Sequence, residues 1–360
     1  MDFSLRLKIW RACLRNIKFL YHVSYLEVSQ RYCLNWYKQR WHMPRFTIVI
    51  PTHNRYDKLR NLLKSIDFTK PVGLEEIIVV DDSSRKVEIE NEFPCLNIHR
   101  IVSSERLFIS RAKNLGWRKA TSDIIFFIDD DNIVNHRTFV PIIDKLAKSK
   151  CIGALVPAVL YKNRPDLVWV YATPLAKDRW SHVLIGRNKP RNPKIENRFL
   201  DTDALANSSV VKRSVLELTN GFEEKLSVNS SADLCLRIKK MGFKVYAYTG
   251  SFIYHDVTPP SGFGWWAEHG TQDPLRVNNE LKDWILLMRF LHFKDNLFVF
   301  HAMLRSMRFV LPNMLVYIFK GKRPHYLVKN VITGYLDGFS RALKFNYNRY
   351  NLSDAWLVTE

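Results

Sequence analysis

From Phe46 onward, short runs of β-branched and aromatic residues alternate with amphipathic stretches, and this alternation is the strongest constraint on the fold. Strands are predicted at 46–50, 76–81, 97–102, 123–129 and 152–160, and helices at 56–66, 107–120 and 136–148. Strands that alternate with helices along a chain favour a mainly parallel sheet joined by crossover helices. The sequence therefore predicts a single Rossmann-like α/β sheet domain.

Two regions flank this domain, which we expect to span residues 46–256. Residues 1–45 carry nine Lys and Arg among apolar residues at roughly helical spacing, which predicts a basic amphipathic N-terminal segment. Residues 257–360 show long helical patterns with many aromatic residues, which predicts a helical C-terminal region that associates with membranes. Further predictions are long loops at 161–200, helices at 211–219 and 230–241, and a strand at 244–249.

Charge and composition indicate which partners and which location to expect for the chain. Lys and Arg outnumber Asp and Glu by 55 to 35, and basic residues occupy both ends of the chain, around an acidic centre that would repel a nucleic-acid backbone. We therefore expect no nucleic-acid partner. The most apolar stretch, 297–319, contains Arg305 and Arg308, which favours peripheral contact with a membrane surface over a spanning helix. Five scattered cysteines and the lack of a signal-peptide core predict a cytoplasmic location, at the cytoplasmic face of that membrane.

Polar residues follow three of the predicted strands at the point where each strand ends. They are Pro51, Thr52, Asn54 and Arg55 after the first strand, Asp81 and Asp82 after the second, and Asp129, Asp130 and Asp131 after IIFFI at 124–128. In an open α/β sheet, ligands bind beyond the carboxyl ends of the strands. We therefore expect all three groups to face one crevice.

The acidic run at 129–131 is the chemical centre of this crevice. Three adjacent carboxylates repel one another unless a cation neutralises them, and oxygen ligands of this kind suit Mg²⁺ or Mn²⁺ bridging phosphates. The alternative is a solvated turn or a helix N-cap. The apolar strand directly before the run favours the metal site.

In this order, the motifs PTHNR, VVDDSS, ISRAKNLG, FIDDDN and NGFEEKL resemble the family 2 glycosyltransferases, which have the A-type glycosyltransferase fold. The resemblance runs from about Phe46 to His255. It implies a metal-dependent hexosyltransferase in glycan biosynthesis, with a nucleotide-sugar donor and a glycan or polyprenyl-linked acceptor. It further implies that Asp131 binds Mg²⁺ or Mn²⁺, helped by His255. The donor contacts that it implies are Pro51, Thr52, Asn54, Arg55, Asp81, Asp82, Lys113, Asn114, Asp129 and Asp130.

One position departs from the family pattern. Where relatives carry Glu-Asp, whose Asp is the expected general base, this chain has Ser230 and Ser231. An unpartnered serine does not accept a proton at neutral pH. The sequence leaves three substitutes open: Asp233 turned inward, another carboxylate such as Glu223 or Glu224, or an anionic acceptor that needs no base.

We take Asp233 as the candidate catalytic base. Its alternative role is structural, either as a charge at a helix N-terminus or as a partner of Arg237 four residues later. With a working base, one displacement at the anomeric carbon inverts that centre. The alternative for the whole chain is a non-catalytic homologue that binds nucleotide-sugar without transferring it.

Overall fold

The computed structural model describes residues 43–85, 87–175, 182–205, 207–226, 229–257, 274–291, 297, 300, 301, 304, 307 and 324–344. The predicted amphipathic segment at 1–45 lies outside these residues except for its last three positions, and it stays a prediction.

One sheet forms the centre of the described structure. Its strands are β1 (Phe46–Thr52), β2 (Leu74–Asp81), β3 (Ile98–Val102), β4 (Ile124–Ile128), β5 (Asn132–Ile133), β6 (Ile152–Tyr161), β7 (Val168–Val170), β8 (Phe199–Asp201), β9 (Ser208–Lys212) and β10 (Lys244–His255). The helices are α1 (Tyr56–Thr69), α2 (Phe108–Lys119), α3 (Val140–Lys148), α4 (Arg213–Thr219), α5 (Ser230–Lys240), α6 (Pro274–Leu291) and α7 (Pro324–Leu343). Short 3₁₀ turns lie at Ile89–Glu92 and Pro193–Ile195.

The strand order is β3-β2-β1-β4-β9-β6-β10-β5, with β7 beside β6 and β8 beside β10. The predicted single, mainly parallel α/β sheet is confirmed, because β1, β2, β3, β4, β6 and β10 all run in one direction. Strands β3, β2, β1 and β4 are parallel to one another, whereas β9 runs antiparallel to both β4 and β6. The sequence prediction missed β9 because its short segment, SSVVK, overlaps the start of the predicted helix at 211–219.

The register of the parallel strands brings their polar ends together. Thr52 of β1 lies opposite Asp81 of β2, and Val49 of β1 lies opposite Phe127 of β4. All five residues of β4 are buried, as expected for a strand covered on both faces. The acidic run that follows β4 therefore emerges beside the ends of β1 and β2.

Alternate residues of β1 and β4 face opposite layers of helices, as the two-residue period of a strand requires. On one face, Val49 and Phe127 join a core cluster with Trp117 of α2. On the other face, Phe126 contacts Phe139, which precedes α3, with ring centroids 4.9 Å apart. The crevice thus stands on a strand layer that is fixed from both sides.

Strand β10 is longer than predicted, and this extension shapes the site. The prediction ended the strand at 249, but Phe252–His255 continues in parallel with β6 after an irregularity between Tyr248 and Phe252. Of these residues, Tyr254 and His255 also pair antiparallel with β5, which places His255 opposite Asn132. The predicted loop region at 161–200 contains β7 and part of β8 because these short strands pair with β6 and β10.

The helices α6 and α7 pack against each other, and Leu226 of the sheet domain joins their apolar cluster. A Cβ at Gly334 would lie 2.8 Å from the carbonyl oxygen of Asn278, so glycine permits this close approach. Within the described residues, no helix is both long and apolar enough to cross a membrane. The boundary between 256 and 257 stays a prediction.

We predict that Gly116→Ala destabilises the sheet domain by about 1–3 kcal/mol, because added volume in a packed core forces neighbours to shift. A Cβ at this position of α2 would meet Val49 Cγ1 at 2.3 Å. Lys119→Ala, on the exposed side of α2, is the control and should change stability by less than about 0.5 kcal/mol. Urea unfolding of both variants measures the difference, and equal midpoints would contradict the packing.

Candidate functional site

The ends of β1 and β4 meet through Arg55 and Thr52. The Thr52 hydroxyl donates to Asp130 Oδ2 at 2.7 Å. The guanidinium of Arg55, at the N-cap of α1, lies 2.5 Å from Asp130 Oδ1 and donates to Asp131 Oδ2 at 2.9 Å. The structure therefore brings together four residues that the sequence assigned to one crevice.

The pKa values of the neighbouring carboxylates Asp130 and Asp131 are shifted in opposite directions. Burial raises the pKa of Asp130 from 3.8 to about 7, although Arg55 and Thr52 oppose the shift. Burial also acts to raise the pKa of Asp131, but His255 and Arg55 outweigh it and lower the value to about 2. Asp131 thus stays anionic at neutral pH, as a cation ligand must, while Asp130 sits near its titration point.

Asp129 has a cationic partner of its own. Lys113 of α2 places its Nζ 2.9 Å from Asp129 Oδ1. The same ammonium lies 5.8 Å from the ring centroid of Phe222, within cation–π range. Lys113 therefore reaches the crevice as the sequence predicted, although only 7% of its side chain is exposed.

Asn114 differs from its prediction. Its Nδ2 donates to the carbonyl of Phe222 at 2.8 Å and to Glu224 Oε1 at 2.9 Å. Its Oδ1 accepts from the amide of Phe222 at 2.8 Å and from Trp117 Nε1 at 3.0 Å. These four bonds use the full capacity of the amide. Asn114 thus fixes the turn at 221–224, and none of its hydrogen-bonding capacity is left for a nucleotide-sugar donor.

Asp82 forms the second charged centre of the crevice. Arg106 Nη1 lies 2.7 Å from both carboxylate oxygens, and the amide of Leu107 donates to Oδ2 at 2.6 Å. His53 Nδ1 lies 3.0 Å from Oδ1. Sequence reasoning missed Arg106 and His53. The His in PTHNR was an available signal, whereas Arg106 is far along the chain from Asp82.

The other predicted donor contacts next to β1 and β2 organise the loops. The Asn54 backbone is left-handed, with φ 55°, and its amide donates to Ser83 Oγ at 2.8 Å. Asp81 accepts from the Tyr56 hydroxyl at 2.7 Å and is fully buried. Pro51 is buried inside β1. Asp81 and Pro51 therefore support the crevice from below rather than lining it.

Asp131 and His255 form the best candidate for a metal site. Asp131 Oδ2 lies 3.6 Å from His255 Nε2, which lets one cation with ligand distances of about 2 Å contact both. The buried His255 Nδ1 and Asn132 Oδ1 have no hydrogen-bond partner among the described residues. The donor set therefore fits Mg²⁺ or Mn²⁺.

The protein offers such a cation only a partial shell. In the part of the chain that the structure describes, no group of three His, Cys, Asp or Glu side chains is arranged to hold a metal ion. Mg²⁺ commonly takes one or two carboxylates and completes its shell with water and substrate phosphates. Asp131 and His255 therefore suit a metal site whose coordination shell is completed by the phosphates of a ligand.

Asp256 supports this site and was missed by sequence reasoning. Its amide donates to the Asp131 carbonyl at 2.8 Å. Its carboxylate lies 2.7 Å from Lys58 Nζ and 3.1 Å from Lys162 Nζ, and these ion pairs lower its pKa although burial opposes the shift. Asp256 thereby ties α1 and the ends of β6 and β10 to the acidic run. An acidic residue directly after the candidate metal histidine was the available signal.

Asp233 is bound by its own helix. Arg237 Nε and Nη2 lie 2.9 and 2.5 Å from Asp233 Oδ2, and Nη2 also donates to the Gly221 carbonyl at 2.8 Å. Only 4% of the Asp233 side chain is exposed. Burial raises the pKa of Asp233, although the charge of Arg237 opposes this shift. This geometry favours the structural role that the sequence left open.

Residues 47–212 match the family model described as Glycosyl transferase family 2. Polypeptide N-acetylgalactosaminyltransferase 10 of Rattus norvegicus is 29% identical over 117 residues, which cover 30% of this chain and 19% of the relative. The chain therefore spans about a fifth of that relative's length. Probable glycosyltransferase YdaM of Bacillus subtilis (strain 168) is 20% identical over 267 residues, 70% of this chain and 61% of the relative.

Among solved structures, the chain is similar in fold to GalNAc-T7, crystallised with UDP, GalNAc and Mn²⁺. The TM-score is 0.53 at 17% identity, and the match covers 71% of this chain and 50% of that one. This similarity supports the A-type glycosyltransferase fold.

We predict that Asp130→Asn stabilises the metal-free protein more at pH 7.5 than at pH 4.5. Between the ordinary pKa of 3.8 and the raised value of about 7, the folded state holds a proton that the unfolded chain has released. Stability therefore falls as the pH rises through that window, and the amide removes this effect. Thermal unfolding in EDTA should show the gap to wild type widening by several degrees.

Asp144→Asn is the control, because this carboxylate is paired with Lys148 on the surface of α3. It should leave the pH dependence unchanged. An equal gap at both pH values for Asp130→Asn would contradict the raised pKa.

We predict that Asp233→Asn costs about 3–5 kcal/mol of stability, because it leaves the Arg237 charge buried without its partner. If the chain transfers sugar as the site suggests, the activity of this variant should keep the wild-type pH profile, since a structural carboxylate does not report its own titration in the rate. Loss of the acidic limb of the profile, with stability retained, would instead identify Asp233 as the base. Asp144→Asn also serves here as a surface pair of the same spacing.

Proposed function

We propose that this chain, whose residues 47–212 match the Glycosyl transferase family 2 model, transfers a sugar from a nucleotide-sugar donor with the help of Mn²⁺ or Mg²⁺. The observation that carries the proposal is the acidic run at 129–131. It emerges between the ends of parallel strands, with Arg55, Lys113 and His255 arranged around it. The GalNAc-T7 structure of the same fold contains UDP and Mn²⁺, which supports a donor and metal of this kind.

The donor is proposed to lie along the ends of β1, β2 and β4. Asp82 and its partner Arg106 would meet the base, and Asp129 and Asp130 would meet the ribose. Buried polar groups with fixed partners can orient such a ligand without reorganising first, which favours catalysis by positioning. Thr52 and Asn54 hold this edge of the crevice through the bonds described above.

The leaving diphosphate carries the charge that the site must stabilise. When bound, a divalent cation would neutralise the negative charge that develops on the phosphate oxygens. Asp131 and His255 are the residues that would hold it. Lys113 offers a further positive group on the other side of the run, 2.9 Å from Asp129.

For the acceptor half of the reaction, we propose a single displacement that inverts the anomeric centre. The acceptor hydroxyl needs a base, and Asp233 is the weaker candidate now that Arg237 holds it in a buried ion pair. Glu224 is half-exposed and contacts Asn114 and Arg118, so it remains accessible to an acceptor. An anionic acceptor, which needs no base, stays the third possibility.

We further propose a glycan or polyprenyl-linked acceptor, used at the cytoplasmic face of a membrane. Exposed apolar side chains support surface docking: Ile332, Leu336 and Leu343 share one side of α7 and are each more than half exposed. Apolar residues on one side of a helix, next to an exposed basic residue such as Lys329, suit an anionic lipid surface.

A panel of radiolabelled nucleotide-sugars tests the proposal, with Mn²⁺ and a polyprenyl-linked glycan as acceptor. We expect transfer that stops in EDTA and falls at least about 100-fold in Asp131→Ala, because the variant loses a ligand to the charge-stabilising cation. Asp166→Ala, in an exposed pair with Arg164, is the control and should keep full activity.

Full metal-dependent activity of Asp131→Ala would overturn the site assignment. Donor binding without transfer to any acceptor in the panel would favour the non-catalytic alternative. The buried Asp233 and the serines at 230 and 231 are the observations behind that alternative.

A further inference from the structure

Arg55 stands inside the carboxylate cluster as an internal cation. Its guanidinium is 2.5 Å from Asp130 Oδ1 and donates to Asp131 Oδ2 at 2.9 Å. Asp131 Oδ2 is also the oxygen that lies 3.6 Å from His255 Nε2. Arg55 therefore holds the same oxygen that the proposed metal site requires.

A divalent cation and the Arg55 guanidinium do not fit at this oxygen together at low cost. Two positive groups a few ångström apart repel each other, and the repulsion is stronger where solvent is excluded, as it is around the fully buried Asp130. Hydrogen bonds between charged groups, like those of Arg55, must also be broken before the metal can bind. A metal ion that arrives alone therefore competes with Arg55.

The two partners of this cluster differ in their freedom to move. Asp130 is completely buried, whereas 48% of the Arg55 side chain is exposed. Arg55 also precedes the first residue of α1, so its side chain can swing out without unwinding the helix. The mobile group in the exchange is the arginine.

We propose that Arg55 occupies Asp131 Oδ2 until a nucleoside diphosphate arrives. Its guanidinium then moves onto the diphosphate, which leaves Asp131 free to hold the metal. The inference rests on the proposed metal and donor site and adds an order to its assembly. A planar guanidinium matches phosphate oxygens as well as carboxylate oxygens. Metal and diphosphate then strengthen each other's binding by the same factor, because binding linkage is reciprocal.

Two simpler roles for Arg55 predict different changes in metal and nucleotide binding when Arg55 is removed. If Arg55 only contacts the nucleotide, its removal weakens nucleotide binding and leaves binding of the metal alone unchanged. If Arg55 only stabilises the fold, its removal weakens both. Under the exchange proposed here, its removal tightens binding of the metal alone and reduces the effect of nucleotide on it.

The experiment is a titration of Mn²⁺ followed by electron paramagnetic resonance, with the full chain as wild type and Arg55→Gln. Each protein is measured without nucleotide, with UDP and with GDP. The control is Arg60→Gln, on the same helix, where Arg60 pairs with Asp57 and Glu92 outside the crevice. Arg55→Lys keeps the positive charge but not the planar guanidinium. Its affinity for Mn²⁺ should lie between those of wild type and Arg55→Gln.

We expect Arg55→Gln to bind Mn²⁺ alone roughly tenfold more tightly than wild type, since it no longer breaks charged hydrogen bonds. The gain on adding the active nucleotide should shrink correspondingly. Because Arg55→Gln leaves the carboxylates uncompensated, Mn²⁺ should also raise its Tm more than that of wild type, which checks folding in the same samples.

Unchanged or weaker binding of Mn²⁺ alone by folded Arg55→Gln would overturn the exchange, even if the enzyme still transfers sugar. Absence of UDP and GDP binding in every protein would count against the proposed function, while the arm without nucleotide would still decide the role of Arg55. Absence of Mn²⁺ binding in all variants would overturn both.

Discussion

Three consecutive carboxylates at the end of one buried strand are the constraint that the rest of the site satisfies. Adjacent negative charges in a partly dry crevice are costly unless each finds a partner. Asp129 finds Lys113, Asp130 finds Thr52 and Arg55, and Asp131 finds Arg55 and His255. These partners come from four separate elements, so compensating the charges also fixes how β1, α1, α2 and β10 meet.

The backbone contributes as much as the side chains to this arrangement. The two-residue strand β5 follows the acidic run directly and pairs with the end of β10, which places Asn132 opposite His255. The Asp256 amide then donates to the Asp131 carbonyl, and two lysines hold the Asp256 carboxylate. The metal candidates are thereby attached to both halves of a mixed sheet, which suits a site that must hold its geometry while a ligand enters and leaves.

Much of the fold was predictable because it rests on local patterns. Continuous apolar runs gave β1, β4 and β6, since strands covered on both faces lose the polar alternation. Strand β9 escaped prediction because its identity depends on a place between β4 and β6. Long-range contacts also explain why the roles of Asn114 and Asp233 differ from those that the sequence suggested. Both have the residue types of a binding site, but Phe222 and Arg237 use them to fasten a turn and a helix.

The sequence by itself determined that the polar groups after β1, β2 and β4 gather in one place, because residues directly after parallel strands emerge at one edge of the sheet. It also determined the local excess of negative charge, because Asp129, Asp130 and Asp131 are consecutive in the chain. Only the tertiary structure decided how that charge is compensated, since Arg55, Lys113 and His255 lie far from the run along the chain. Their distances from the carboxylates depend on the register of the strands and the placement of α1, α2 and β10, and no local pattern encodes those long-range contacts.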